Sequence, residues 1–132
     1  GCTGQVAALE AAASGSGTAN GITTNATDAG GFLFDTTMTA AKLWLVGVKN
    51  DTDATAQNTT IAPVAATWIR LKTEIDAAGN ADFFINGARV GTSMPASATP
   101  NISLTPVISG FTRTAASATI DVDYVHVVAT RL

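Results

Sequence analysis

Residues 68–86 read Trp68-Ile-Arg-Leu-Lys-Thr-Glu-Ile-Asp-Ala-Ala-Gly-Asn-Ala-Asp-Phe-Phe-Ile-Asn86. In an extended chain Ile69, Leu71 and Ile75 fall on one side, and Arg70, Lys72, Glu74 and Asp76 on the other. A period of two with one apolar and one charged side marks a strand with one buried face. Ala78-Gly79-Asn80 carries turn chemistry, and Phe83-Phe84-Ile85 returns as the partner strand, ending at Asn86-Gly87. The stretch therefore predicts a β-hairpin, and with it an all-β, antiparallel fold.

Outward from the hairpin, further strand signals follow at short intervals. Phe32-Leu33-Phe34 is short and apolar, after a Thr- and Asn-rich run that leads to Gly30-Gly31. Lys42-Leu-Trp-Leu-Val-Gly-Val48 is apolar at consecutive positions, which predicts a central strand covered on both faces. Asn50 to Thr55 is a polar loop or hairpin. Residues 60–64 resume the chain, and Pro63, which lacks a backbone donor, places them at an edge or bend. Ala88-Arg-Val90 follows the hairpin, and a connection bracketed by Pro95 and Pro100 comes next. Ile102 to Ile108 alternates as a strand, with Phe111 beyond it. Ser117 to Val128 is long and β-prone, with Val122, Tyr124 and Val128 on one side. Seven to nine short strands without a long helix predict a sandwich or barrel. No internal repeat points to a propeller or solenoid.

The start of the chain reads differently. Residues 5–13 have the propensity of a short helix but lack a clear cap, so an extended or irregular segment fits equally. Ser14-Gly-Ser-Gly17 is a flexible joint. We expect a partly irregular N-terminal segment over residues 1–29 that belongs to the sandwich, and a β-sandwich core over residues 30–132. At 132 residues the chain has one domain's length. It does not begin with Met, which is expected of a chain that starts inside a longer reading frame, or whose beginning was removed or left undetermined.

Only 13% of the residues are charged and the net charge is −3, with seven Lys and Arg scattered along the chain. A nucleic-acid groove needs clustered cations to displace counterions, so that partner is not expected. No apolar run reaches the roughly 18 residues of a membrane-spanning helix. The 46% hydrophobic content is inflated by alanine. A surface rich in Thr, Ser, Asn and Ala suits either a neutral β protein or contact with neighbouring protein. Cys2 is the sole cysteine, which excludes an internal disulfide and multi-cysteine metal sites. Gly1-Cys2 has the form of a processed lipoprotein end, though a lone terminal cysteine reads first as a small apolar residue.

Three segments in order carry a resemblance: Trp68-x-Arg-Leu-x-x-Glu-Ile-Asp-x-x-Gly79, then Phe84-Ile-Asn-Gly87, then Asp121-Val-Asp-Tyr-Val125. Residues 23–35 and 43–51 add to it. Together they resemble the concanavalin A-like lectin/glucanase jelly roll, in the version found in structural proteins of tailed bacteriophages. The likeness spans roughly residues 20–131. It implies an antiparallel β-sandwich, and strands that the family places upstream of residue 1. The sandwich is then expected to be completed by residues before Gly1 or by a neighbouring chain.

Glucanases of this fold carry Glu-x-Asp-x-Glu or Glu-x-Asp-x-x-Glu, and Glu74-Ile-Asp76 matches the first two positions. Retaining hydrolysis needs a nucleophile and an acid about 5 Å apart. The third position here is Ala78 or Gly79, and the other glutamate, Glu10, lies far away in the chain. We therefore expect no glycosidase, and no enzyme. His126 is the sole histidine, and alternation puts Asp123 on the opposite side of its strand, so no nucleophilic triad forms. Asp51 with Asp53, and Asp121 with Asp123, each offer two carboxylates. Calcium needs six to eight oxygens, so no metal or other cofactor is expected. The four Asn-x-Ser/Thr sequences, at Asn25, Asn50, Asn58 and Asn101, are what a Thr-rich chain produces by chance.

The aromatic residues mostly neighbour aliphatics and read as core. Trp68, on the polar side beside Arg70, and Tyr124 are the candidates for carbohydrate contact. The resemblance implies a virion protein: a capsid decoration (cement) protein, or a head- or tail-associated fibre domain. Its partners would be the major capsid protein or other virion proteins and copies of itself, a trimer among the states allowed. The alternative is a lectin-like module for host-surface polysaccharide.

Overall fold

The computed structural model describes residues 27–34, 40–95, 97–108 and 119–129. The protein is all-β: its strands are antiparallel, and no helix occurs among the described residues. The first sheet contains β1 (Ala29–Phe34), β2 (Leu43–Lys49), β3 (Thr52–Asp53) and β4 (Gln57–Asn58). β1 lies along one edge of β2, and β3 and β4 also pair with β2. The second sheet is the three-stranded meander β5 (Leu71–Ile75), β6 (Ala81–Ile85) and β7 (Ala88–Met94).

The expected hairpin is present, with Leu71 opposite Ile85, Thr73 opposite Phe83 and Ile75 opposite Ala81. Opposed residues of an antiparallel pair share a face. Leu71 and Ile75 therefore lie on the face of Ala81, Phe83 and Ile85, all three buried. The charged positions take the other face. There Lys72 pairs with Glu74 at 2.5 Å and lies 4.9 Å from the Phe84 ring centre. Arg89 bonds Asp82 at 2.6 Å on the same side.

β2 is covered on both faces, as its consecutive apolar residues predict. On one face Leu45 joins Ala81, Phe83 and Met94, with Phe32, Ala54 and Val90 packed around them. This cluster unites the sheets, and Phe32 meets Phe83 edge to face at a centroid distance of 5.6 Å. On the other face Trp44 packs with Ala56, Leu33, Ala40 and Val46, and its indole N–H donates to the Ala40 carbonyl at 3.0 Å. A buried indole with its one donor satisfied carries no polar penalty.

The polar run after β2 is a hairpin. Lys49 opposes Thr52, and Asn50 and Asp51 both take positive φ, 48° and 62°, as a two-residue mirror-image turn requires. Asn86 and Gly87 turn β6 into β7 the same way, at φ 51° and 86°. Between β3 and β4 the register on β2 slips by one residue, a bulge over residues 54–56. The slip puts Gln57 opposite Leu45 rather than Trp44, and so on the face turned to the second sheet. There its Oε1 accepts the Thr92 backbone N–H at 2.8 Å.

The connection after β7 closes one end of the interior. Ser97 is fully buried, and its hydroxyl donates to the Met94 carbonyl at 3.0 Å. It lies over Gly30 and Gly47, which oppose each other on the inner face. A Cβ at Gly47 would sit 2.6 Å from Ser97 Oγ and 2.7 Å from Met94 Sδ, so the approach needs glycine.

Several expectations need correction. Trp68 precedes β5 rather than lying in it, because the segment before Leu71 takes no partner strand apart from the Arg70–Asn86 bonds. Sequence reading misses strand β4, just before residues 60–64, while residues 60–64 themselves bend at Thr60 and run irregularly beside the start of β2, in keeping with Pro63. Residues 102–108 and 119–129 are exposed and carry no strand, although their alternation predicts two. Strand propensity measures fit to a pleated, half-buried surface, and no described strand pairs with either segment. The N-terminal readings over residues 1–26, Cys2, Glu10 and Phe111 lie outside the described residues.

Candidate functional site

Both candidate sugar contacts are open to solvent. Trp68 is 69% exposed and Tyr124 is 64% exposed. They come from separate segments, one ahead of β5 and one within residues 119–129. They do not stack on each other; among the described residues the one ring–ring contact is Phe32 with Phe83. Trp68 follows a turn in which the Thr67 N–H donates to the Val64 carbonyl at 3.2 Å. Two residues on, Arg70 is locked to Asn86: its N–H donates to Asn86 Oδ1 at 2.9 Å, and its carbonyl accepts the Asn86 N–H at 2.8 Å.

Two carboxylates, Asp28 and Asp76, are occupied with backbone N–H groups, and two more, Glu74 and Asp82, pair with cations. Asp76 lies just past the end of β5. It opens the β5–β6 turn, where Oδ1 accepts the N–H groups of Ala78 at 2.9 Å and Asn80 at 2.8 Å, and Oδ2 accepts the Asn80 side-chain amide at 2.8 Å. These donors, Asn80 first, hold its carboxyl below the ordinary 3.8. Arg89 does the same for Asp82. A general acid needs the opposite displacement.

Asp28 is bound to two distant segments. Its Oδ1 accepts the Thr99 N–H at 2.5 Å and the Asn50 N–H at 3.4 Å. The bond to Thr99 is the first reason its carboxyl lies below the ordinary value. Sequence reading missed Asp28 and Gln57, because their partners lie far along the chain, and Ser97, because its burial depends on the distant Gly30 and Gly47.

An open depression of about 340 Å3 lies beside the β2–β3 turn, lined by Lys49, Asn50, Thr52, Asp53, Ala54 and Pro95. It contains neither Trp68 nor Tyr124. Asp53 brings one carboxylate to its wall, and among the described residues no three His, Cys, Asp or Glu side chains converge. His126, Asp121 and Asp123 are exposed along residues 119–129. What gathers on the surface instead is apolar: Ile120, Val122, Tyr124, Val125, Val127 and Val128 are all exposed. Among the described residues no helix is long and apolar enough to cross a membrane. No family model matches the chain, and neither a curated protein nor a solved structure is significantly similar to it.

Proposed function

We propose that this chain is a structural protein of a tailed-phage virion, a capsid decoration protein or a head- or tail-associated fibre domain. It would act through protein–protein contacts and catalyse no reaction. Its architecture would be the concanavalin A-like jelly-roll sandwich of the resemblance, with the Leu45–Phe83 cluster as the layer between sheets. The observation that carries the reading is the exposed apolar run from Ile120 to Val128. Contiguous apolar surface of that kind marks a site that another protein covers. The use of Asp28, Asp76 and Asp82 as hydrogen-bonded structural groups supports a non-catalytic scaffold. Weak contacts repeated by particle symmetry would sum to a large gain in shell stability.

Purified protein added to particles that lack it should co-sediment with them at a fixed ratio and raise the temperature at which the shells release their contents. Failure to bind particles would remove this reading. A second reading, a lectin-like module, is favoured by the exposure of Trp68 and Tyr124. It requires saturable binding on a glycan array that Trp68→Ala abolishes.

A further inference from the structure

Among the described residues β5 pairs along one edge only, with β6. Asn86 N–H donates to the Arg70 carbonyl, and Asp76 N–H to the Asn80 carbonyl. Arg70, Lys72, Glu74 and Asp76 thus direct their backbone polar groups toward β6. Alternation along an antiparallel ladder turns those of Leu71, Thr73 and Ile75 the other way. Among the described residues no strand meets them there. The side chains tell the same story. Leu71 and Ile75 lie on the face of Phe83, yet are 41% and 37% exposed. An edge of this kind, apolar on one face and with backbone N–H and C=O groups that no described strand pairs, is a template for another strand.

Residues 119–125 have the complementary pattern. Ile120, Val122 and Tyr124 alternate with Asp121 and Asp123, and all are exposed. Neither aspartate has an ion-pair partner among the described residues. On β5 the matching outer positions are Arg70 and Lys72, also spaced by two and exposed. Lys72 is engaged by an exposed contact to Glu74 within its own strand, which contributes about 0–1 kcal/mol and is easily exchanged, and by the face of the Phe84 ring.

We propose that residues 119–125 of a second copy of this chain add antiparallel to the edge of β5 that faces away from β6. Val122 then opposes Leu71, Ile120 opposes Thr73 and Tyr124 opposes Ile69, while Asp121 opposes Lys72 and Asp123 opposes Arg70. Charge complementarity selects the register. A shift of two residues one way brings Asp121 against Glu74, and the other way leaves Asp123 against Trp68. A shift of one turns every apolar side chain to the charged face. The occupant is a second copy because the segment is exposed throughout in its own chain. Each copy offers both an edge and a strand, so two copies that exchange them reciprocally close into a symmetric dimer.

The proposal rests on the assembly reading above and names the contact between copies. Its test uses the purified full chain without particles, by light scattering after size exclusion. The wild type should be oligomeric. Asp121→Lys with Asp123→Lys should weaken self-association by about tenfold or more, since two favourable cross-strand pairs become repulsive. Arg70→Glu with Lys72→Glu should do the same, and the four changes together should restore it. Far-UV circular dichroism checks that each variant keeps its sheet. In a Cys2→Ser background, Leu71→Cys with Val122→Cys should form a disulfide between chains.

A monomeric wild type, a fourfold variant without recovery, or a disulfide closed within one chain would each overturn the proposal. A monomer that still binds particles would overturn the strand exchange alone. An oligomer that ignores particles would support it and remove the virion reading.

Discussion

Asp28 Oδ1 accepts the backbone N–H of Thr99 at 2.5 Å, across 71 positions of sequence. The same oxygen accepts the Asn50 N–H, so one carboxylate gathers the chain before β1, the β2–β3 turn and the connection after β7. The bond favours the ionised form and holds the Asp28 carboxyl below its ordinary 3.8. Asp76 and Asp82 are displaced in the same direction.

The sign of the pH dependence follows. A group whose folded value is depressed stabilises fully above the unfolded value, and that contribution drains away as pH falls through the folded one. The thermal midpoint should therefore fall between about pH 5 and pH 2. Asp28→Ala should lower the midpoint at pH 7 and shallow the acid limb. Parallel acid limbs in the two proteins would contradict this account.

Gly79 should tolerate no side chain. It sits at φ 82°, its carbonyl accepts the N–H groups of Ser97 and Ala98, and an added Cβ would fall on the Ala98 carbonyl oxygen. Gly79→Ala should cost at least about 2 kcal/mol in urea denaturation, from left-handed backbone strain plus displacement of residues 97–98.

Phe83 is fully buried where the sheets meet. Phe83→Ala should destabilise by about 3–5 kcal/mol, and Phe83→Leu by less, because Leu refills part of the cavity. Equal losses would mean that the cluster relaxes around either residue.

Trp68 is largely exposed and outside the strands, so Trp68→Ala should change stability by no more than about 0.5 kcal/mol. The variant thus separates sugar recognition from folding. A large fall in the midpoint would show that Trp68 is covered in solution.

The strands that the sequence announces plainly are those whose partners are close. β5 and β6 are joined by a turn whose Asp76, Gly79 and Asn80 are recognisable in the chain, and Leu71 and Ile75 take the face that alternation assigns them. β2 is legible for another reason: its consecutive apolar residues need cover on both sides, and Leu45 and Trp44 find it in separate clusters. Asp28, Gln57 and Ser97 could not be read in advance. Asp28 and Gln57 have partners decided by tertiary approach, and the Ser97 hydroxyl, though bonded locally to Met94, is buried only because Gly30 and Gly47 let it approach, which no local pattern encodes. Residues 119–129 show the converse, with alternation clear in the sequence and no described strand to satisfy it. Of the candidate site, the exposure of Trp68 agreed with its polar neighbours, whereas the role of Asp76 in the turn was hidden by reading it as one more strand position.

The bulge over residues 54–56 has a consequence for how this chain can change length. Deleting one residue there would give β2 an unbroken neighbour, an improvement by any local measure. Gln57 would then continue the β3 register and still oppose Leu45, keeping its bonds to Thr92; flattening the bulge without a deletion is what would turn it to the Trp44 side. A one-residue deletion should therefore preserve the inward face of β4, whereas a chain of unchanged length cannot lose the bulge without turning Gln57 away from the second sheet. The irregularity is what keeps the two layers in step.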